Sequence, residues 1–265
     1  MNVDNAVAVI TGAGSGIGRA AASRLAAAGA RLVLADIAEE PLAETAGLVR
    51  AAGGACQTRV VDVTKEAETE ALMQLAVAHY GALNILLPCA GVIRDGFLVR
   101  TDRETGKVSG KMSLADWRAV IEVNLTGTFL CVRDAAAAMI DSGSQGVLFV
   151  ISSVNKAGQL GQLNYAASKA ADALFPKIIT GEFNRRRIRG IRVVGIAPGY
   201  VATPMVQAMK PEVLDEQILP DVHLGRLIEP AEIVELVCQV CQNEAIDGTT
   251  IEITGGLCHH KGIAK

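Results

Sequence analysis

"AVAVITGAGSGIGRA", residues 6–20, begins as an apolar run, passes through four glycines between positions 12 and 18, and resumes with a pattern that suits a helix. It reads as a strand, a tight turn and a helix. Glycine adopts backbone angles that other residues avoid and lets main chain approach a ligand closely. The first turn of a helix offers unpaired N–H groups and the positive end of a dipole, a setting that suits a pyrophosphate. Gly12, Gly14, Gly16 and Gly18 do not fit the spacing G-x-G-x-x-G. The signal comes from their place between strand and helix, with Ser15 and Ile17 among them.

Outward from this unit the same alternation continues to the end of the chain. Strand-like runs are expected at 6–11, 31–36, 56–63, 83–88, 146–152, 191–198 and 249–254. Helical periodicity is expected over 19–28, 40–52, 65–80, about 113–141, about 164–187 and 230 to about 244. Pro230 suits a first helical position, where its missing N–H is no loss. The strands are mostly unbroken Val/Ile/Leu runs, as when helices cover both faces of a sheet. The expected fold is therefore α/β: one Rossmann-type, doubly wound parallel sheet flanked by helices, as a single domain over 1–265. Two segments break the rhythm. "RDGFLVRTDRETGKVSGKM" (94–112) is charged and turn-rich and reads as a hairpin-like insertion. "YVATPMVQAMKPEVLDEQILPDVHLGR" (200–226) follows a strand's C-terminal end, the edge where open α/β sheets bind ligands, and reads as a substrate lid.

Composition narrows the function classes. Of 265 residues, 50% are hydrophobic, enough for a deep core, and the net charge of −3 gives no reason to expect nucleic acid or an anionic membrane. No apolar run approaches the roughly 20 residues of a spanning helix. The N-terminal stretch lacks the pattern of a signal peptide. A soluble, cytoplasmic protein with no membrane partner is expected.

Six cysteines are scattered without a disulfide framework. Cys238 and Cys241 form a C-x-x-C, with Cys258, His259 and His260 downstream. However, Ile233, Val237 and Cys241 share one helical face, where cysteine serves as a small apolar residue. No metal is expected.

Asp36 closes the second strand, eighteen positions past Gly18. Such folds place an acid there on the adenine ribose. A carboxylate accepts from both ribose hydroxyls and repels a 2′-phosphate, and the flanking Ser15 and Ile37 are uncharged. NAD is expected over NADP.

Taken together, T-G-x-x-x-G-x-G at 11–18, Asp62-Val63, Ala90-Gly91, Asn124, Ser153, Y-x-x-x-K at 165–169 and Pro198-Gly199 resemble the short-chain dehydrogenase/reductase family, in its order and over nearly the whole chain. The branch it looks most like contains 3-oxoacyl-carrier-protein reductases and related alcohol dehydrogenases. The resemblance implies Tyr165 as general acid/base, Lys169 as its tuner and a ribose ligand, Ser153 as hydrogen-bond partner of the substrate oxygen, and Asn124 as holder of a water linking Lys169 to solvent. It also implies a cofactor wall that includes Asp62, Val63, Cys89, Ala90, Gly91, Pro198, Val201 and Thr203. Physics agrees about the pair. Positions four apart on a helix lie on one face, and an ammonium there favours a phenolate.

Some details depart from the family. "PCAG" (88–91) stands where Asn-Asn-Ala-Gly is common. The loop from the second serine to Tyr165 is one residue short, so counting back selects Ser152, whereas strand register selects Ser153 and is preferred. Pro176 should kink or break the helix after Lys169.

The leading expectation is an NAD-dependent oxidoreductase for a mostly apolar secondary alcohol or ketone, with Met205, Val206, Met209, Leu214, Ile218 and Leu219 on the lid. The alternative is a 3-oxoacyl-thioester reductase. A non-catalytic dinucleotide-binding protein would not need serine, tyrosine and lysine together. The basic "RRRIRGIR" (185–192) suits a helix C-terminus, or by family analogy a dock for an acyl carrier protein. The family further implies a homotetramer built through the helices over 113–141 and 164–187, with small residues in "DAAAAMI" (134–140) permitting close contact.

Overall fold

The computed structural model describes residues 1–258. Its first half alternates strand and helix: β1 (Val7–Thr11), α1 (Gly16–Ala27), β2 (Arg31–Asp36), α2 (Glu39–Ala51), β3 (Cys56–Val60), α3 (Glu66–Tyr80) and β4 (Ile85–Pro88). A short pair, β5 (Val99–Thr101) and β6 (Val108–Lys111), precedes α4 (Leu114–Ile121) and α5 (Gly127–Asp141). Then come β7 (Gly146–Ile151), α6 (Leu163–Asp172), α7 (Phe175–Arg186), β8 (Ile191–Pro198), the short α8 (Pro204–Gln207) and α9 (Pro211–Val213), α10 (Pro230–Gln242) and β9 (Thr249–Ile253).

Seven strands form one sheet in the order β3-β2-β1-β4-β7-β8-β9, every neighbouring pair parallel. This is the expected doubly wound fold. Chain order reverses between β1 and β4, and at such a switch point the strand ends leave a crevice. The unbroken apolar runs follow from burial on both faces. In β1, Ala8 and Ile10 pack into one core cluster with α1 and α10, while Val7 and Val9 pack into the other with α3 and α5. Each fully buried Val or Ile of this kind contributes roughly 1.5–3 kcal/mol.

α10 starts at Pro230, and Glu229 and Glu232 close its first turn as a reciprocal capping box. Ile233, Val237 and Cys241 are fully buried and Cys238 nearly so, which makes these cysteines core residues. Cys258 is exposed, while His259 and His260 lie outside the described residues. Among the described residues no group of three His, Cys, Asp or Glu is arranged to hold a metal.

The structure corrects two helices. The stretch expected as one helix over about 113–141 is α4 and α5 joined by a π turn at Glu122–Thr126. By length and composition alone, Leu114–Asp141 could cross a membrane, a match the sequence reading passed over. More than half of its most apolar window (56%) is buried inside the protein, as befits a core helix. The helix expected over 164–187 is interrupted between α6 and α7, with Pro176 in the first turn of α7. Proline cannot donate the i→i−4 bond that would have carried α6 onward, so the chain restarts there.

The insertion at 94–112 is an antiparallel ribbon, β5 with β6. Its base is tied to the loop before α6, where Gly96 N–H donates to Gly161 O at 2.7 Å. The segment after β8 folds as α8, α9, a π turn (Leu214–Ile218) and a 3₁₀ turn (Leu219–Asp221). In the basic run, Arg185 and Arg186 close the last turn of α7, Arg189 donates to Asn184, and Arg192 donates to the carbonyls of Cys241, Asn243 and Ile246.

Candidate active site

The turn after β1 is shaped by close approach. Gly12 has φ +63°, and a Cβ there would lie 2.6 Å from Ala90 N and 2.7 Å from Cys89 C. A Cβ on Gly18 would lie 2.2 Å from Gly12 O. The end of β4 and the start of α1 are thus both pressed against the turn, and only glycine permits it. The first residues of α1, Gly16, Ile17 and Gly18, line the crevice, and a helix start carries N–H groups without intrahelical partners. The turn has the chemistry to hold a dinucleotide phosphate, and its neighbours fit that reading.

One neighbour is Asp36. Its Oδ2 accepts from Gly14 N–H at 2.9 Å, and its Oδ1 accepts from Ala38 N–H at 3.0 Å. The carboxylate is therefore fixed against the glycine turn. Arg19, the nearest base on α1, faces away toward α2. It pairs with Glu44 at 2.9 Å and donates to Thr45 Oγ1 at 3.0 Å.

A cavity of about 390 Å³ runs from this turn across the strand ends. Gly12, Ser15, Gly16, Ile17, Gly18 and Asp36 line one end. Asp62, Val63, Cys89, Ala90 and Gly91 form a side wall, and Pro198, Val201 and Thr203 close it from the β8 end. Ser152, Ser153, Tyr165 and Lys169 lie on the same surface. Of the lid residues singled out in the sequence, Met205 and Val206 line the cavity, while Met209, Leu214, Ile218 and Leu219 do not.

The two serines differ in what their hydroxyls do. Ser152 Oγ donates to Lys169 O at 2.7 Å, tying the end of β7 to α6. Ser153 Oγ accepts from Asn155 N–H at 3.1 Å, capping a 3₁₀ turn at Val154–Ala157. Ser153 also lines the cavity, and among the described residues its hydroxyl is not spent on a carbonyl as that of Ser152 is. Lys169 is almost fully buried, with Nζ 5.9 Å from the centre of the Tyr165 ring. Nζ donates to Ile151 O at 2.7 Å and to Asp172 Oδ2 at 2.9 Å. Burial works against the ammonium, but the charges of Asp172 and Tyr165 outweigh it, and the Lys169 pKa lies above its ordinary 10.5.

Asn124 is fully buried behind the cavity wall, in the π turn. Its amide clasps the backbone of Val92, accepting from Val92 N–H at 2.8 Å and donating to Val92 O at 3.0 Å. The side chain thus holds the stretch after Gly91 in place. Cys89 occupies the position where the family's amide is absent. There Cys89 N–H donates to Thr11 O at 3.1 Å and so ties β4 to β1. Desolvation pushes the Cys89 thiol up to about 12, against the pull of Lys169, so it stays protonated at neutral pH.

Two features escaped the sequence reading. One is Asp172, fully buried behind Lys169. Its only signal in the sequence is a spacing of three from the lysine on one helix. The other is a polar relay between the 3₁₀ turn after β7 and the base of the ribbon. Asn155 Nδ2 donates to Gln162 Oε1 at 2.9 Å, and Gln162 Nε2 donates to Asp95 Oδ2 at 3.0 Å, fixing the ribbon's base to the loop before α6.

Known proteins resemble this chain in sequence and fold. The family model described as short chain dehydrogenase matches residues 6–213. A (3R)-3-hydroxyacyl-CoA dehydrogenase from Canis lupus familiaris is 35% identical over 268 residues, covering 97% of this chain and 98% of that one. The 3-oxoacyl-[acyl-carrier-protein] reductase FabG of Thermotoga maritima is 34% identical, covering 97% and 99%. An acetoacetyl-CoA reductase from Shinella zoogloeoides is 35% identical, covering 94% and 97%. Among solved structures, the crystal structure of gox2181 superposes with a TM-score of 0.84 at 25% identity, covering 96% of each chain. With the glycine turn, the strand-end serines and the Tyr165–Lys169 pair on one cavity, this chain belongs to the short-chain dehydrogenase/reductase family, oxidoreductases that act on CH–OH groups with NAD(P).

Proposed function

We propose that this protein is an NAD-dependent oxidoreductase that interconverts 3-hydroxyacyl and 3-oxoacyl thioesters, with Tyr165 as general acid/base. The observation that carries the substrate class is the near full-length match to three relatives named for such thioesters. The simpler secondary alcohol or ketone expected from the apolar lid is the second reading. It is favoured by the apolar side chains Met205 and Val206 that line the cavity.

In this reading Asp36 accepts from the adenine ribose, the backbone of the 12–18 turn takes the pyrophosphate, and the walls around Asp62 and Pro198 confine the rest. Bound nicotinamide supplies or accepts the hydride at its ring carbon. Ser153 donates a hydrogen bond to the substrate oxygen. In the oxidative direction Tyr165 Oη takes the hydroxyl proton as the hydride leaves carbon with its electron pair, and in the reductive direction it returns that proton. Lys169 favours the phenolate form by its charge. The engagement of Arg19 by Glu44 supports NAD over NADP, since no free base stands beside Asp36 on α1.

A homotetramer is part of the same proposal. Phe129 and Ile140 on α5, and Ile178 on α7, are exposed apolar side chains on the helices that the family pairs across its two-fold axes. Ala135 and Met139 pack inward, whereas Ala137 faces out, which leaves room for close approach by a second copy.

The experiment is a panel of 3-hydroxyacyl and 3-oxoacyl thioesters, on coenzyme A and on acyl carrier protein, beside simple secondary alcohols and ketones. Each is tried with NAD(H) and NADP(H), following reduced cofactor by absorbance. Thioesters with NAD(H) should turn over fastest, and Tyr165→Phe should remove most turnover while still binding NADH. Turnover by Tyr165→Phe within a few-fold of the parent would overturn the acid/base assignment.

A further inference from the structure

Asp172 lies in the deepest layer behind the proposed site, 0% exposed, with Oδ2 accepting from Lys169 Nζ. Its second oxygen, Oδ1, has no hydrogen-bond partner among the described residues. A buried ion pair with an unsatisfied oxygen is a poor device for stability, because an apolar side chain of similar size avoids the desolvation altogether. The carboxylate therefore invites an explanation through the group it touches. That group is Lys169, whose Nζ it helps hold toward Ile151 O, 5.9 Å from the centre of the Tyr165 ring.

We propose that Asp172 is a positioning residue acting through Lys169: it draws the ammonium back toward the end of β7, offsets part of its charge, and so sets the pH range in which Tyr165 exchanges its proton with substrate. This rests on the acid/base reading of Tyr165 and Lys169 given above.

The surrounding charges leave Asp172 as the counter-ion. On α6 itself, Lys169 faces Tyr165 and Asp172. From the end of β4 it faces Cys89, which is protonated at neutral pH. On the 3₁₀ turn, Lys156 is paired with Glu252. On α4, Asp116 accepts from Ser113 Oγ at 2.6 Å, and Arg118 is exposed, as are Glu122 in the π turn and Lys177 on α7.

The sign of the effect follows. With the carboxylate present, Lys169 holds its proton above its ordinary range, because Asp172 and Tyr165 outweigh burial. Burial in turn pushes the Asp172 carboxyl up, and the Lys169 ammonium opposes that. Replacing the carboxylate by a neutral amide removes a negative charge from behind the ammonium. The phenolate of Tyr165 then meets less opposing charge and forms at lower pH. Lys169, still desolvated but without its counter-ion, also loses its proton at lower pH. Both limbs of the pH–rate profile for alcohol oxidation move in the acid direction, by on the order of one pH unit. A residue that merely fills space changes the height of that profile and not its position.

The test compares the parent protein with Asp172→Asn and Asp172→Leu, the latter filling the space without charge. The first readout is the pH dependence of NAD⁺ reduction with 3-hydroxybutyryl-CoA as probe. The second needs no substrate or cofactor. Tyrosinate absorbance is titrated with and without Tyr165→Phe in each background, which isolates one of only three tyrosines in the chain. The expected result is an acid shift of about one unit in both variants and by both readouts. Curves that superimpose on the parent's would overturn the inference. If Tyr165→Phe still turns over, the acid/base reading fails instead; if it is inactive and Asp172→Asn shifts nothing, only the role of Asp172 falls. Should neither variant fold, ¹³C NMR of the aspartate carboxyls in the unaltered protein decides. Asp172 must be ionised at neutral pH, and a protonated carboxyl there refutes it.

Discussion

The substitution Asp36→Ala tests cofactor choice without any knowledge of the substrate. In the parent, both carboxylate oxygens already accept from backbone N–H groups, of Gly14 at 2.9 Å and Ala38 at 3.0 Å. In the proposed reading their remaining lone pairs accept from the two ribose hydroxyls. A hydrogen bond to a charged group contributes about 1.5–3 kcal/mol, and for a partly buried carboxylate in a solvated cleft the lower end for the whole pair, about 2 kcal/mol, is the safer figure. Losing it weakens NADH by roughly 30-fold. Relief of repulsion works the other way for NADPH. A unit charge about 5 Å from a dianionic phosphate, in a solvated cleft and screened by salt, accounts for about 1–2 kcal/mol, or roughly tenfold tighter binding. The substitution also deprives Gly14 N–H of its acceptor and loosens the turn. That loss falls on both cofactors equally and cancels in their ratio. The ratio of dissociation constants, measured by fluorescence titration of NADH and NADPH, should therefore move by roughly 10²–10³ toward NADPH. A change of less than threefold, or a parent that already prefers NADPH, would refute the reasoning.

Three further outcomes follow from the same geometry. Gly18→Ala puts a methyl 2.2 Å from Gly12 O, a contact with backbone that no rotamer change can relieve, so Tm should fall by roughly 5–10 °C and NADH binding should suffer. Gly47→Ala on α2, with nothing within 4 Å of the added Cβ, serves as its control and should leave Tm unchanged or raise it slightly; equal losses in both would discredit the argument from close approach. Ser153→Ala should reduce turnover far more than Ser152→Ala, whose hydroxyl is held by Lys169 O at 2.7 Å, and the reverse order would move the substrate-facing role by one residue. Light scattering at micromolar concentration should give the mass of four chains, and a clean monomer would remove the proposed assembly.

The strands were legible in the sequence because their signal is local and redundant. Burial on both faces demands unbroken apolar runs, and the runs at 31–36 and 191–198 coincide with β2 and β8 to the residue. The π turn at Glu122–Thr126 was not legible, since it keeps the apolar periodicity of a helix and differs only in which carbonyl each N–H meets. The break after α6 was legible through Pro176, whose chemistry acts on its own neighbours. The serines illustrate the limit. Spacing offered both, and what separates them is a bond from Ser152 to a carbonyl seventeen residues away.

Asp172 marks the same boundary more sharply. An acid three residues from a lysine on a helix is, in sequence, an ordinary solvated pair that contributes a few tenths of a kcal/mol. Its meaning changes only when β7 and the elements around α6 close over it and take the pair to 6% and 0% side-chain exposure. Burial then turns a weak surface contact into a strong local constraint on the charge of Lys169. The local pattern fixes which residues share a helix face, and the tertiary packing fixes the dielectric in which they meet. For a proton-transfer site the second decides the chemistry, so a residue marked in the sequence only by its spacing from Lys169 becomes the one whose removal should shift the pH dependence of the whole reaction.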